Sequence, residues 1–139
     1  MAPWKDYAPV YKSILRQIKD KGIRVFHRSI RHGAGGLFDQ NQCIITIDKT
    51  YKNTLYGCFV LCHELIHFEQ SRINEFPGFF EISGEFTQEK LDLIIAAEVD
   101  ADKKASKMLK MWGINYEPLS FTKVGLEENI KFWKKYYFG

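Results

Sequence analysis

The sequence predicts an α+β fold in which a small antiparallel sheet of about three strands packs on a helical core. Three observations lead there. Short apolar or β-branched runs are confined to residues 23–48, and apolar residues recur at helical spacing in longer stretches before and after them. The 139 residues, 45% hydrophobic and 15% aromatic, can enclose one core but hardly two. A single domain over residues 1–139 is expected.

Val10, Tyr11, Ile14, Leu15 and Ile18 follow Pro9 at helical spacing, and Gly22 follows a lysine-rich end, so a helix is predicted over about 8–20. Residues 23–26 read as a short strand. Gly36 to Phe38 and Cys43 to Asp48, separated by the polar Asp39-Gln40-Asn41-Gln42, read as a hairpin. From about Thr54 to Ser71 apolar side chains cover nearly every face, as in a helix surrounded by protein. About fifteen residues then intervene, carrying Pro77, Gly78, Gly84 and several phenylalanines, a length typical of functional or mobile loops. Thr87 is placed to cap a long helix reaching Trp112, with Glu89 in its first turn and Gly113 just past its end. In the last segment, about 122–137, Leu126, Ile130, Trp133 and Tyr137 form one stripe, read as packing on the core.

The net charge of +3 is spread along the chain, apart from small clusters at 24–32 and 131–135, so nucleic acid is not an expected partner. Lys5, Asp6 and Lys12 interrupt any apolar run near the start, which argues against a secretory or membrane-spanning segment. Cys43, Cys58 and Cys62 are odd in number, and two lie in an apolar helical stretch. Reduced core thiols and a cytoplasmic location are therefore expected, with no membrane partner.

Residues 63–67 read His-Glu-Leu-Ile-His. On a helix, side chains four apart lie within about 40° of one another, so His63 and His67 can share one metal ion. Zinc accepts imidazole nitrogens, and its catalytic sites use three protein ligands so that the fourth position holds water. The remaining histidines, His27 and His32, lie upstream, and Gln70 and Ile73 stand where a metzincin would carry a glycine and a third histidine. A deformylase-like cysteine ligand fits poorly, because Cys43 lies in a strand pattern close before His63. An acidic third ligand remains.

The stripe Leu91, Ile94, Ile95, Ala101, Ala105, Met108 and Trp112 of the long second helix also contains Glu98 and Asp102. A carboxylate on an apolar face needs a cation, either a metal or a lysine or arginine across the core. Asp102, one turn beyond Glu98, can accept the free N–H of a ligating histidine. Ala97, Ala101 and Ala105 are small enough for the two helices to approach closely.

His63-Glu-Leu-Ile-His67 followed by Glu98-Val-Asp-Ala-Asp102 resembles the gluzincin metallopeptidases, and within them the compact ImmA/IrrE-type proteins. The likeness spans about residues 36–109. It departs at Ile66, where the family usually has glycine, and at Lys103, Lys104 and Lys107, where it is usually apolar. The resemblance implies one zinc ion held by His63, His67 and Glu98, with Glu64 as general base and Asp102 behind the ligands. The expected activity is zinc-dependent hydrolysis of a protein or peptide. An extended substrate would pair with one of the two hairpin strands, and Tyr116, His27 and His32 are candidate oxyanion donors. The alternative is a catalytically silent or latent metal-binding regulator that retains the fold. With one domain expected, specificity would come from the 72–86 loop or from a regulatory partner, and the aromatic 132–138 segment leaves a homo-oligomer open.

Overall fold

The computed structural model describes residues 6–30 and 33–139. Helix α1 (Ala8–Asp20) leads into β1 (Arg24–Arg28), β2 (Gly36–Asp39) and β3 (Ile44–Asp48). Helix α2 (Leu55–Ile73), α3 (Gln88–Leu109) and α4 (Lys123–Phe138) follow, with 3-10 turns between them. The α+β architecture, a small sheet on a helical core, is as the sequence predicts. The expectations placed on Met1 to Lys5, Arg31 and His32 fall outside the described residues. Among the described residues no helix is long and apolar enough to cross a membrane.

The sheet is mixed rather than wholly antiparallel. Its order is β1-β3-β2: β2 pairs antiparallel with β3, with Phe38 opposite Ile45, while β1 pairs parallel, from Arg24 opposite Ile44 to Arg28 opposite Asp48. Alternating side chains set which face of a strand is buried but not which neighbour it takes, so the pairing is invisible in the pattern. That parallel ladder also carries β1 two residues past its predicted end. Ile45 and Ile47 face inward, and Val25 packs against the same core. On the open face Arg24 and Arg28 flank the Phe26 ring.

Two apolar clusters form. One gathers Tyr11, Ile14 and Ile18 of α1, the inward sheet residues, Phe59, Leu61 and Leu65 of α2, and Ala105 and Leu109 of α3. The other joins Ile94 and Ala97 of α3 to Phe79 of the 72–86 loop and Trp133 of α4. Ala97, Ala101 and Ala105 are fully buried, which is how α3 comes to lie along α2. Cys58 and Cys62 are buried free thiols, and burial pushes Cys58 up to about 12, so both are inert core residues.

Helix starts follow their capping residues. Thr54, Thr87 and Thr122 accept hydrogen bonds from the N–H groups of Gly57, Lys90 and Gly125. In α2 the capped residue has to be glycine, because a Cβ on Gly57 would collide with the Tyr51 carbonyl oxygen. Alanine would gain about 1 kcal/mol of helix propensity, but overpacking against backbone costs about 1 to 3 kcal/mol or more. Because the collision is with backbone the cost falls at the upper end of that range, so Gly57→Ala is expected to lower stability by about 2 kcal/mol, read as a fall of roughly 5 °C in thermal midpoint. An unchanged midpoint would mean that the turn before α2 yields freely.

Candidate metal centre

Helices α2 and α3 bring His63, His67 and Glu98 together. Nε2 of His67 lies 2.7 Å from Glu98 Oε1, and Nε2 of His63 lies 3.0 Å from the same oxygen. One ligand atom from each residue falls within 4.8 Å of the others, and among the described residues this is the one such group able to hold a metal ion. The two nitrogen–oxygen separations are a few tenths of an ångström shorter than the edge of about 3.3 Å expected for a tetrahedral site with bonds of about 2.0 to 2.1 Å, so a small outward shift would admit the ion. No lysine or arginine lies within ion-pair distance of Glu98 among the described residues; its close partners are the two imidazoles, at 3.0 and 2.7 Å.

The outer nitrogens settle what the inner ones can do. The amide nitrogen of Gln70 donates to the Ala97 carbonyl at 2.9 Å and to Asp100 at 3.0 Å, so its oxygen faces His67 and accepts the Nδ1–H at 2.8 Å. In neutral His67 the Nε2 lone pair then points at a carboxylate oxygen. Two acceptors 2.7 Å apart require a cation between them or a proton on Nε2. His63 repeats the arrangement: its Nδ1 stands 2.8 Å from Asp102 Oδ1, and Ser120 donates to Asp102 Oδ2 at 2.7 Å. That Nδ1 contact is off the N–H axis and makes no well-directed hydrogen bond. Both imidazoles thus turn Nε2 toward one buried carboxylate, a donor set suited to a divalent metal.

Glu64 stands outside this network. It is buried beside a cavity of about 480 Å³ that also reaches His63, His67 and Glu98. A Cβ on Gly36 would sit 2.6 Å from Val60 Cγ1 and 3.1 Å from Glu64 Cγ, so the glycine is what lets β2 lie against Glu64. Burial raises the Glu64 pKa, the two histidines pull against this, and Glu98 and Asp102 push it further up; the net shift is upward. The walls are aromatic: Phe59 and Tyr116 are stacked 4.6 Å apart, Phe79 lies 5.4 Å from the His67 ring, and Phe132 and Tyr136 of α4 are stacked at 5.8 Å.

Comparisons with protein families, with curated proteins and with solved structures return no match. What can be said of this centre therefore comes from its own side chains.

Of the predicted site residues, His63, Glu64, His67, Glu98 and Asp102 are brought together. Tyr116 lines the cavity, whereas His27 bonds the Tyr11 hydroxyl at 2.8 Å and is not part of the wall. His32 lies outside the described residues. Three contributors escaped the sequence reading: Gln70, Ser120 and Tyr137. Gln70 could have been found, being one turn past His67 on the same helix. Nothing in the sequence ties Ser120 or Tyr137 to the site.

Without metal, burial opposes charging His63, but the close carboxylates of Asp102 and Glu98 and the charge of Glu64 outweigh it, holding its pKa well above the ordinary 6.5. His67 is also raised: burial again opposes, and the charge of Glu98 and its hydrogen bond prevail. Burial pushes Glu98 up, but the two histidines drive it well below the usual carboxylate range. The histidine contribution to stability is fully present below pH 6.5 and lost as pH rises through the raised values. The Glu98 contribution is present above pH 4.5 and lost as pH falls through its lowered value. A metal ion must displace the imidazole protons, so uptake of Zn2+ near pH 6.5 is expected to release about two protons. Calorimetric titration in buffers of different ionisation enthalpy measures this, and zero release would show that Nε2 carries no proton in the metal-free protein.

Proposed function

We propose that this protein is a zinc-dependent metalloendopeptidase of the gluzincin type its motifs resemble, hydrolysing peptide bonds in a protein or peptide. The observation that carries the reading is the pair of inward-facing Nε2 atoms on one oxygen of buried Glu98, with Glu64 beside them and free of the hydrogen-bond network. His63, His67 and Glu98 would hold the zinc, which supplies Lewis acidity and brings the pKa of water toward about 7. A structural zinc site would fill its fourth position with cysteine or histidine, and no such residue joins this group among the described residues.

Glu64 takes the proton from the attacking water and delivers it to the leaving amine. Burial shifts its pKa upward, the direction that makes the carboxylate a better proton acceptor in the first transfer. Asp102 and Gln70 hold the two imidazoles from behind, fixing which nitrogen faces inward.

The substrate main chain has a place to pair. β2 is an outer strand of the sheet. The Gly35 carbonyl accepts from Asp48 N–H at 2.9 Å, so the alternation of an antiparallel ladder turns the N–H and C=O groups of Gly36 and Phe38 to the open edge, alongside Glu64. Of the tyrosines that line the cavity, Tyr116 and Tyr136 are the candidates to donate to a developing oxyanion. The test is to incubate the zinc-loaded protein with a diverse peptide mixture and identify products by mass spectrometry. Cleavage that stops with a chelator and returns with zinc supports the reading. Zinc uptake without cleavage of any peptide, or of folded protein candidates, favours the regulatory alternative.

A further inference from the structure

The two oxygens of Glu98 divide their partners. Oε1 faces both histidines, while Oε2 accepts a hydrogen bond at 3.1 Å from the hydroxyl of Tyr137, thirty-nine residues further along the chain. The donor is unambiguous because the ionised carboxylate can only accept. Tyr137 sits in the second apolar cluster, 6.2 Å from the Phe79 ring, where its hydroxyl needs a protein partner.

We propose that Tyr137 is a positioning residue of the metal centre, and that through it metal binding and the docking of α4 are coupled. The inference rests on the metal-binding reading of the site. A carboxylate held by one oxygen alone can turn about its Cγ–Cδ bond. The Tyr137 hydroxyl fixes the second oxygen and so presents Oε1 to the two Nε2 atoms, the task Asp102 and Gln70 perform for the imidazoles. Coupling of this kind is reciprocal: a metal that pins Glu98 strengthens the hold on α4, and a docked α4 strengthens the hold on the metal. Helix α4 also carries Phe132, Trp133 and Tyr136, which line the cavity, so metal loading orders one wall of the cleft.

The experiment compares wild type with Tyr137→Phe, which keeps the ring in its cluster and removes only the hydroxyl. Zinc affinity is measured by competition with a chromophoric chelator, and amide hydrogen exchange is followed with and without zinc. Affinity is expected to fall by about tenfold or more, as for loss of other outer partners of a ligand. Zinc is expected to slow exchange across 55–73 in both proteins, and across 123–138 in wild type only. A merely structural role for the hydroxyl would lower the metal-free thermal midpoint and leave the zinc dependence of exchange alike in both. Equal affinity and equal protection of α4 would overturn the proposal while leaving the metal site intact. Weakened affinity with α4 still protected would overturn the coupling. A wild type that takes up no zinc would overturn both this inference and the reading beneath it.

Discussion

Glu64→Gln protein is expected to bind one equivalent of zinc with near wild-type affinity and to cleave substrate at least about 100-fold, and up to about 10,000-fold, more slowly, the usual contribution of a positioned general base. The separation of binding from turnover follows from where Glu64 stands. It is one residue from His63, about 100° around the helix, so its carboxylate faces the cavity and does not join the group that His63, His67 and Glu98 form. Glutamine keeps the size and loses the basicity, so neither the α2 backbone nor the Gly36 contact need change. The burial that raises the Glu64 pKa makes the neutral amide no harder to accommodate than the acid. Zinc content and product formation are measured on the same preparation. Undiminished cleavage would remove Glu64 as the base, and lost zinc would place it among the ligands.

Glu98→Ala carries the second large effect. Wild-type protein after exhaustive dialysis is expected to retain one zinc per chain by elemental analysis, and the variant to retain almost none. Loss of an outer partner typically costs 10- to 100-fold in affinity, and Glu98 would be a direct ligand as well as the anion both Nε2 atoms face, so the expected loss exceeds that range. The metal-free variant has its own signature. With Glu98 gone, its charge and its hydrogen bonds no longer favour the protonated histidines. The decline in metal-free stability expected of wild type as pH rises above 6.5 should then shrink in the variant. Melting curves between pH 6 and 8 measure it. Zinc retained in full by the variant would move the third ligand elsewhere.

Local sequence located the helices through apolar spacing and a few end signals, Gly22 past α1 and Thr87 and Gly113 around α3; the structure adds caps at Thr54 and Thr122 and a left-handed Asn74 closing α2. It also placed the centre. Two histidines one turn apart, and two acids one turn apart on a face otherwise apolar, are patterns of a single helix each, and a buried charge demands a counter-charge wherever the helix packs. The strand partners were not legible, because alternation reports a face and not a neighbour: that β1 lies parallel to β3, leaving β2 free beside Glu64, emerged only with the sheet.

The sequence by itself determined which side chains make the candidate centre, His63, His67 and Glu98 with Glu64 adjacent, because residue identity and helical spacing are local properties of the chain. Tertiary structure alone decided the surroundings: Gln70 turned back on His67, Ser120 on Asp102, Tyr137 on Glu98, and an aromatic wall supplied by α4. The reason is physical. A metal ligand is recognised by its own atoms, whereas an outer partner is any hydroxyl or amide that packing delivers to a spare nitrogen or oxygen, and the chain offers many such groups with no mark on those that arrive.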